Sequence, residues 1–259
     1  MATNRQPRQS RDELRSLLLR TAKSILREEG LGVGTDTLTF KRVFERVAQD
    51  TGHRLTNASV IKRVWENQAD YHTDVLTDIA SDDGTTEMVE TLEALAPVLE
   101  GIPLATPEER EAALREVCRV GGAANIESLL RSEDWSLWIG VWALATAGEA
   151  TDQKRQIQQG LLDGYERVAA LYQEIYGALA DLLRLRIRPG ITLRHFTVAV
   201  GALAEGCTLR NRVDPDMDGI LLPTGRDGAE QEWTIFGLGL EALVQRFFEP
   251  DPADGPVPA

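Results

Sequence analysis

The sequence predicts an all-α protein made of a short helical head and a larger helical body. Three observations predict it. Apolar residues recur near a 3.6-residue period almost throughout, Ser, Thr or Asn precedes most of those runs, and no alternating strand pattern or internal repeat stands out.

The elements follow in order. Ser10-Arg11-Asp12-Glu13 has the form of a capping box, and Leu14, Leu17, Leu18, Ala22, Ile25 and Leu26 follow at helical spacing until Gly30. Thr39 caps a second helix with Phe40, Val43, Phe44, Val47 and Ala48 on one face, and Gly52 ends it. After a turn, Thr56 or Asn57 starts a short helix that runs to about Trp65. Asn67 opens the next, with Tyr71, Val75, Leu76 and Ile79 inward, and another spans about Thr86 to Leu99 with a bend expected at Pro97. Thr106-Pro107-Glu108-Glu109 is a second capping box, and Gly121-Gly122 is expected to interrupt the helix it begins. Ser132 leads into a Trp-rich helix. Thr151 starts the longest run, expected to end at Arg188-Pro189-Gly190. Thr192 to about Arg212 and Gln231 to Phe248 form the last two helices, separated by a polar loop. The tail after Phe248 is expected to be disordered.

Charge divides the chain. Of its 259 residues, 28 are Lys or Arg and 41 Asp or Glu, a net charge of −13. Residues 1–66 carry +5 and residues 67–259 carry −18. The whole chain would repel phosphates, but its head would not. Domains are therefore set at 1–66, 67–248 and a tail at 249–259.

The short helix is the informative part of the head. At 100° per residue, Val60, Ile61, Val64 and Trp65 share one face, with Ser59, Lys62 and Arg63 opposite. Thr56, Asn57 and Ala58 add small side chains at the N-terminal end, where base edges can be approached closely and phosphate is attracted. A supporting helix, a turn with Gly and a short polar-faced helix form the layout of a helix-turn-helix. Arg63 suits a guanine, Lys62 a guanine or phosphate, and Asn57 an adenine. Thr39, Lys41, Arg42 and Arg54 are placed to hold the DNA backbone.

From Leu14 to Leu76 the chain resembles the DNA-binding head of the TetR family of ligand-responsive repressors. The resemblance rests on Glu29-Gly30 closing the first helix, Val47-Ala48 and Gly52 in the second helix and turn, Trp65 ending the short helix, and Tyr71 about six residues on. The second helix is about one turn longer than in the family, and the turn through His53 and Arg54 carries extra residues. Ile61 or Lys62 stands where the family usually has a Tyr. The resemblance implies a homodimeric transcriptional regulator that binds double-stranded DNA, a repressor released from a pseudo-palindromic operator by an unidentified small-molecule effector.

The body is compatible with those implications on its own residues. Ile191 to Cys207 and Trp233 to Phe248 are apolar over broad arcs, with Gly201, Gly206, Gly237 and Gly239 able to admit close packing. Self-association through about 191–212 and 231–248 would form a four-helix bundle about a two-fold axis. The same helices could instead be the core of a monomer. For an effector, the candidate residues are Trp135, Trp138 and Trp142 on one helix, Tyr172 and Tyr176 (with Tyr165) on the next, and Phe196. Such stripes serve as ordinary core or as pocket walls. His195 reads as a structural histidine.

Other classes find little support. The three histidines are scattered, and no H-E-x-x-H, P-loop or G-x-S-x-G is present. Asp214, Asp216, Asp218 and Gly219 look like a calcium loop, but Pro215 intrudes and Gly225 holds the twelfth position. Cys118 and Cys207 are isolated in apolar patterns. No catalytic residue, cofactor or metal is assigned, and no apolar stretch suits a bilayer. With no apolar leader, a cytoplasmic protein is expected. The alternatives are a helical interaction or ligand-binding protein whose head no longer binds DNA, and a helical enzyme with a dispersed site.

Overall fold

In a computed structural model, the structure describes residues 10–31, 35, 38–52, 54–55, 63–82, 84–225 and 228–251. Nine α-helices lie among them: α1 Arg11–Glu29, α2 Phe40–Thr51, α3 Gln68–Ala80, α4 Thr85–Gly101, α5 Pro107–Arg131, α6 Glu133–Thr146, α7 Asp152–Leu182, α8 Leu193–Asn211 and α9 Ile235–Phe247. The all-α class therefore holds. The caps behave as the local sequence dictates. Ser10 and Glu13, and Thr106 and Glu109, form reciprocal capping boxes, and Asn67 caps α3. No described helix is long and apolar enough to cross a membrane.

Contacts group the chain into two compact units, Met1–Asp83 with Glu133–Tyr165, and Gly84–Ser132 with Glu166–Ala259. Compactness is thus one division and the charge boundary at residue 66 another. In the first unit, α1, α2 and α3 enclose Leu14, Leu18, Leu26, Val43, Val47, Tyr71 and Val75, joined by Val141 of α6 and Leu161 of α7. In the second, Phe196, Val200, Trp233, Phe236 and Phe248 form the core with Cys118 and Ile126 of α5.

Two expectations fail in the second unit. Gly121-Gly122 do not interrupt anything; α5 runs through them for 25 residues. The glycines serve tertiary contact instead. A Cβ on Gly122 would lie 2.8 Å from Cα of Gly237, so only glycine permits α5 and α9 to meet there. Pro97 lies within α4, in the helix expected to contain it. Four three-residue strands also appear where none was expected: β1 Leu185–Ile187, β2 Ile220–Leu222, β3 Gln231–Trp233 and β4 Phe248–Pro250. β1 pairs antiparallel with β4 and β2 with β3. The longest helix accordingly stops at Leu182, and the last begins at Ile235. Each pair has only three rungs, and β2, β3 and β4 are too short to set up a period in the sequence.

Candidate nucleic-acid interface

The head's described part is a platform of α1, α2 and α3 with the end of the short predicted helix seated on it. α2 starts at Thr39, whose hydroxyl accepts the Arg42 amide, and ends at Gly52 in the left-handed region at φ 72°. Thr56, Asn57, Ala58, Ser59 and Lys62 lie outside the described residues. Arg63 and Val64 are helical and half-buried.

Trp65 fixes the end of that helix. Its ring is 7% exposed and packs edge-on against Tyr71, with centroids 4.7 Å apart, and tilted against Phe40 at 6.3 Å. Its Nε1 donates to Asp74 Oδ2 at 2.9 Å. Asp74 also receives Arg15 Nε at 2.7 Å and Nη2 at 2.6 Å, a side-on bidentate pair. That pairing raises the Arg15 pKa further above its already high ordinary value. Arg11 Nη2 donates to the Val64 carbonyl at 3.3 Å. α1 and α3 thus hold the final turn from two sides.

The basic residues of α2 divide by partner. Lys41 is 85% exposed, with Glu45 only at the 4.0 Å limit of an ion pair, so it is effectively solvated. Arg42 is paired with Glu29. Arg46, which the sequence did not single out, is held by Glu28 and Asp50. Arg54 is exposed beyond the turn.

The candidate effector residues fall in both units. Trp135, Trp138 and Trp142 belong to the first, where Trp135 is buried, Trp138 packs edge-on against Tyr165 at 5.2 Å, and Trp142 is 41% exposed. Tyr172, Tyr176 and Phe196 belong to the second and are brought together: Tyr172 stacks on Tyr176 at 5.6 Å, and Tyr176 meets Phe196 edge-on at 5.1 Å. Asn125 Nδ2 donates to Tyr172 Oη at 3.4 Å and to Thr91 Oγ1 at 3.3 Å. Burial pushes both tyrosine hydroxyls above their ordinary pKa and keeps them protonated. His195 is a helix-cap residue, its Nδ1 accepting the Thr192 amide at 3.2 Å. Asp218 closes its loop, accepting Ile235 N at 2.7 Å and Asn211 Nδ2 at 2.8 Å. Burial raises the thiol pKa of Cys118.

The sequence reading missed Arg184, Arg186 and Arg188. Their signal was available: Leu183-Arg184-Leu185-Arg186-Ile187-Arg188 alternates strictly, the pattern of a strand, although Leu183 and Arg184 precede β1 itself.

No protein-family model matches the chain. No curated protein matches it either. Among solved structures it is similar to a SmeT–triclosan complex, with a TM-score of 0.41 and 15% identity, over 95% of this chain and 99% of that one.

Proposed function

We propose that the chain is a homodimeric, TetR-like transcriptional regulator acting as a repressor, with residues 1–66 as its DNA-binding head and 67–248 as its ligand-binding and dimerisation body. The observation that carries this reading is the anchoring of Trp65 by Tyr71, Phe40 and Asp74. A helix of about nine residues has too little intrinsic stability to hold its own geometry. One pinned at its C-terminal end onto a rigid platform can present its first turns to a major groove. Thr56, Asn57, Ala58, Ser59, Lys62 and Arg63 are the proposed groove contacts. Thr39, Lys41, Arg42 and Arg54 are the proposed phosphate contacts, of which Arg42 must exchange Glu29 for phosphate.

The dimer reading draws on an outward stripe of α8. Val198 (54% exposed), Ala202, Gly206 and Leu209 (43% exposed) fall within about 80° of one another around the helix axis. Ile235 and Ala242 of α9 are exposed as well. An apolar, small-residue face of this kind suits a second copy of itself, and two copies match half-sites about 34 Å apart. An effector held by Tyr172, Tyr176 and Phe196, or separately by Trp135, Trp138 and Trp142, would favour a head spacing that the operator does not match. A cytoplasmic, non-enzymatic protein fits this role.

Selection of bound sequences from random duplex DNA tests the function. A two-fold symmetric consensus is expected, and recovery of no enriched sequence would refute it. On the selected site, Arg63→Ala should cost roughly 1–3 kcal/mol and relax specificity at one position per half-site. Leu209→Asp should convert the dimer to monomer in sedimentation at micromolar concentration. An unchanged sedimentation coefficient would move the interface elsewhere.

A further inference from the structure

The second unit contains a cavity of about 360 Å³ between the start of α5, the end of α7 with β1, and the end of α9 with β4. That is near the lower end of the range for small-molecule sites, roughly 300–1,000 Å³. Leu114, Leu183, Leu185, Val244 and Phe248 supply its apolar wall, and Arg110, Arg184 and Arg188 also line it. None of the effector candidates read from the sequence is among its lining residues.

We propose that this cavity binds a small amphipathic monoanion, a carboxylate on an apolar body, with Arg184 and Arg188 receiving the carboxylate. Three observations on the cavity wall lead there. Arg184 has φ 54°, the one non-glycine residue with positive φ among those described, at the turn where a helix usually ends on glycine. Its guanidinium has no hydrogen-bond or ion-pair partner among the described residues. The sequence thus keeps an exposed arginine where the backbone favours glycine, and no side-chain contact among the described residues requires it.

Arg188 provides the second observation. Its Nη1 donates to Glu249 at 3.2 Å and its Nη2 only weakly to the Gln245 carbonyl at 3.4 Å. Its Nε is buried without an acceptor, the one such side-chain atom among the described residues. A buried donor left unmade is costly, and a turn of the Arg188 side chain toward a carboxylate in the cavity would relieve that cost. Nε and Nη2 form the same side-on edge with which Arg15 clasps Asp74.

Charge is the third. Three glutamates line the cavity, Glu111, Glu241 and Glu249. Arg115 bridges the first two, and Arg186 and Arg188 share the last. On the wall itself Arg110, Arg184 and Arg188 face those three carboxylates, so the local charge is balanced although residues 67–259 carry −18. Screening over about 8 Å at physiological salt keeps that distant charge from deciding. The glutamates in turn oppose a dianion, and the apolar wall favours a ligand with a hydrophobic body.

The test titrates the full chain calorimetrically with 2-naphthoate and with neutral 2-naphthamide, without DNA, so its failure is separate from any failure of the DNA-binding reading. Naphthoate should bind at least about tenfold more tightly than naphthamide, a difference of ~1.4 kcal/mol. Arg184→Gly and Arg188→Gln should each weaken naphthoate about tenfold or more, and exposed Arg210→Gln should not. Arg184→Gly, which relaxes the backbone, should retain the parent's thermal midpoint or exceed it, so that lost binding is not lost folding. Equal affinity for acid and amide, no naphthoate binding up to about 5 mM, or unchanged naphthoate affinity in both variants would overturn the site.

Discussion

Two arginines on the two units use the same chemical edge and meet opposite circumstances. Arg15 in the first unit directs Nε and Nη2 to Asp74, which also accepts the Trp65 indole, so the carboxylate is fully engaged. Arg188 in the second unit has its Nε buried with no acceptor and its Nη2 at the far limit of a hydrogen bond. A closed polar network stiffens the part of the molecule that contains it. An open one beside a cavity leaves a place where binding energy can be gained. The contrast is between a platform locked by its own hydrogen bonds in one unit and, in the other, the cavity proposed to bind a ligand.

The strongest challenge to this comparison is Trp65→Ala. Removing the ring takes away the packing on Tyr71 and Phe40 and one donor of Asp74, and should lower the unfolding free energy by ~3–5 kcal/mol in urea denaturation. A loss under about 1 kcal/mol would show that the platform does not depend on the closed network. Gly122→Ala probes the other unit, where its Cβ would lie 2.8 Å from Gly237 Cα and neither backbone can yield cheaply. Overpacking there should cost ~1–3 kcal/mol, and no measurable loss would mean that α5 and α9 can separate freely.

Acid titration should give the smallest effect. Hydrogen bonds from Arg119, with a lesser one from Gln231, hold the Glu116 carboxyl below its ordinary pKa, against the opposing effect of burial. A carboxyl depressed in the folded state contributes stability above its unfolded pKa and loses it as pH falls through the folded one. Glu116→Gln should therefore flatten the loss of stability below about pH 4.3, in denaturation curves compared with the parent. An identical pH profile would remove this pair from the second unit's acid response.

What the sequence made legible was local. Ser10 with Glu13, Thr39, Asn67 and Thr106 with Glu109 all cap the helices expected of them, because the donor and acceptor lie within three residues of each other. The core faces of α1 to α3 were legible from their period for the same reason. Gly122 was misread because its neighbour Gly237 is distant in sequence, and a glycine needed for close approach looks the same on paper as a helix breaker. The pairing of Arg186 with Glu249 across β1 and β4 spans 63 residues and leaves no local trace. Of the candidate groove contacts, Arg63 alone lies among the described residues. The aromatic candidates Tyr172, Tyr176 and Phe196 do touch, whereas nothing in their spacing pointed to the arginine-lined cavity.

The β1–β4 ladder also bears on how the polypeptide can be trimmed or tagged. Arg188 N–H donates to the Phe247 carbonyl and Asp251 N–H to the Arg184 carbonyl, so the ladder is clasped at both ends. A deletion beginning at Phe248 would strip away one wall of the cavity and release Arg186 and Arg188 from their shared carboxylate. An affinity handle fused after Asp251 leaves that clasp whole, which makes it the sensible attachment point for immobilised binding measurements.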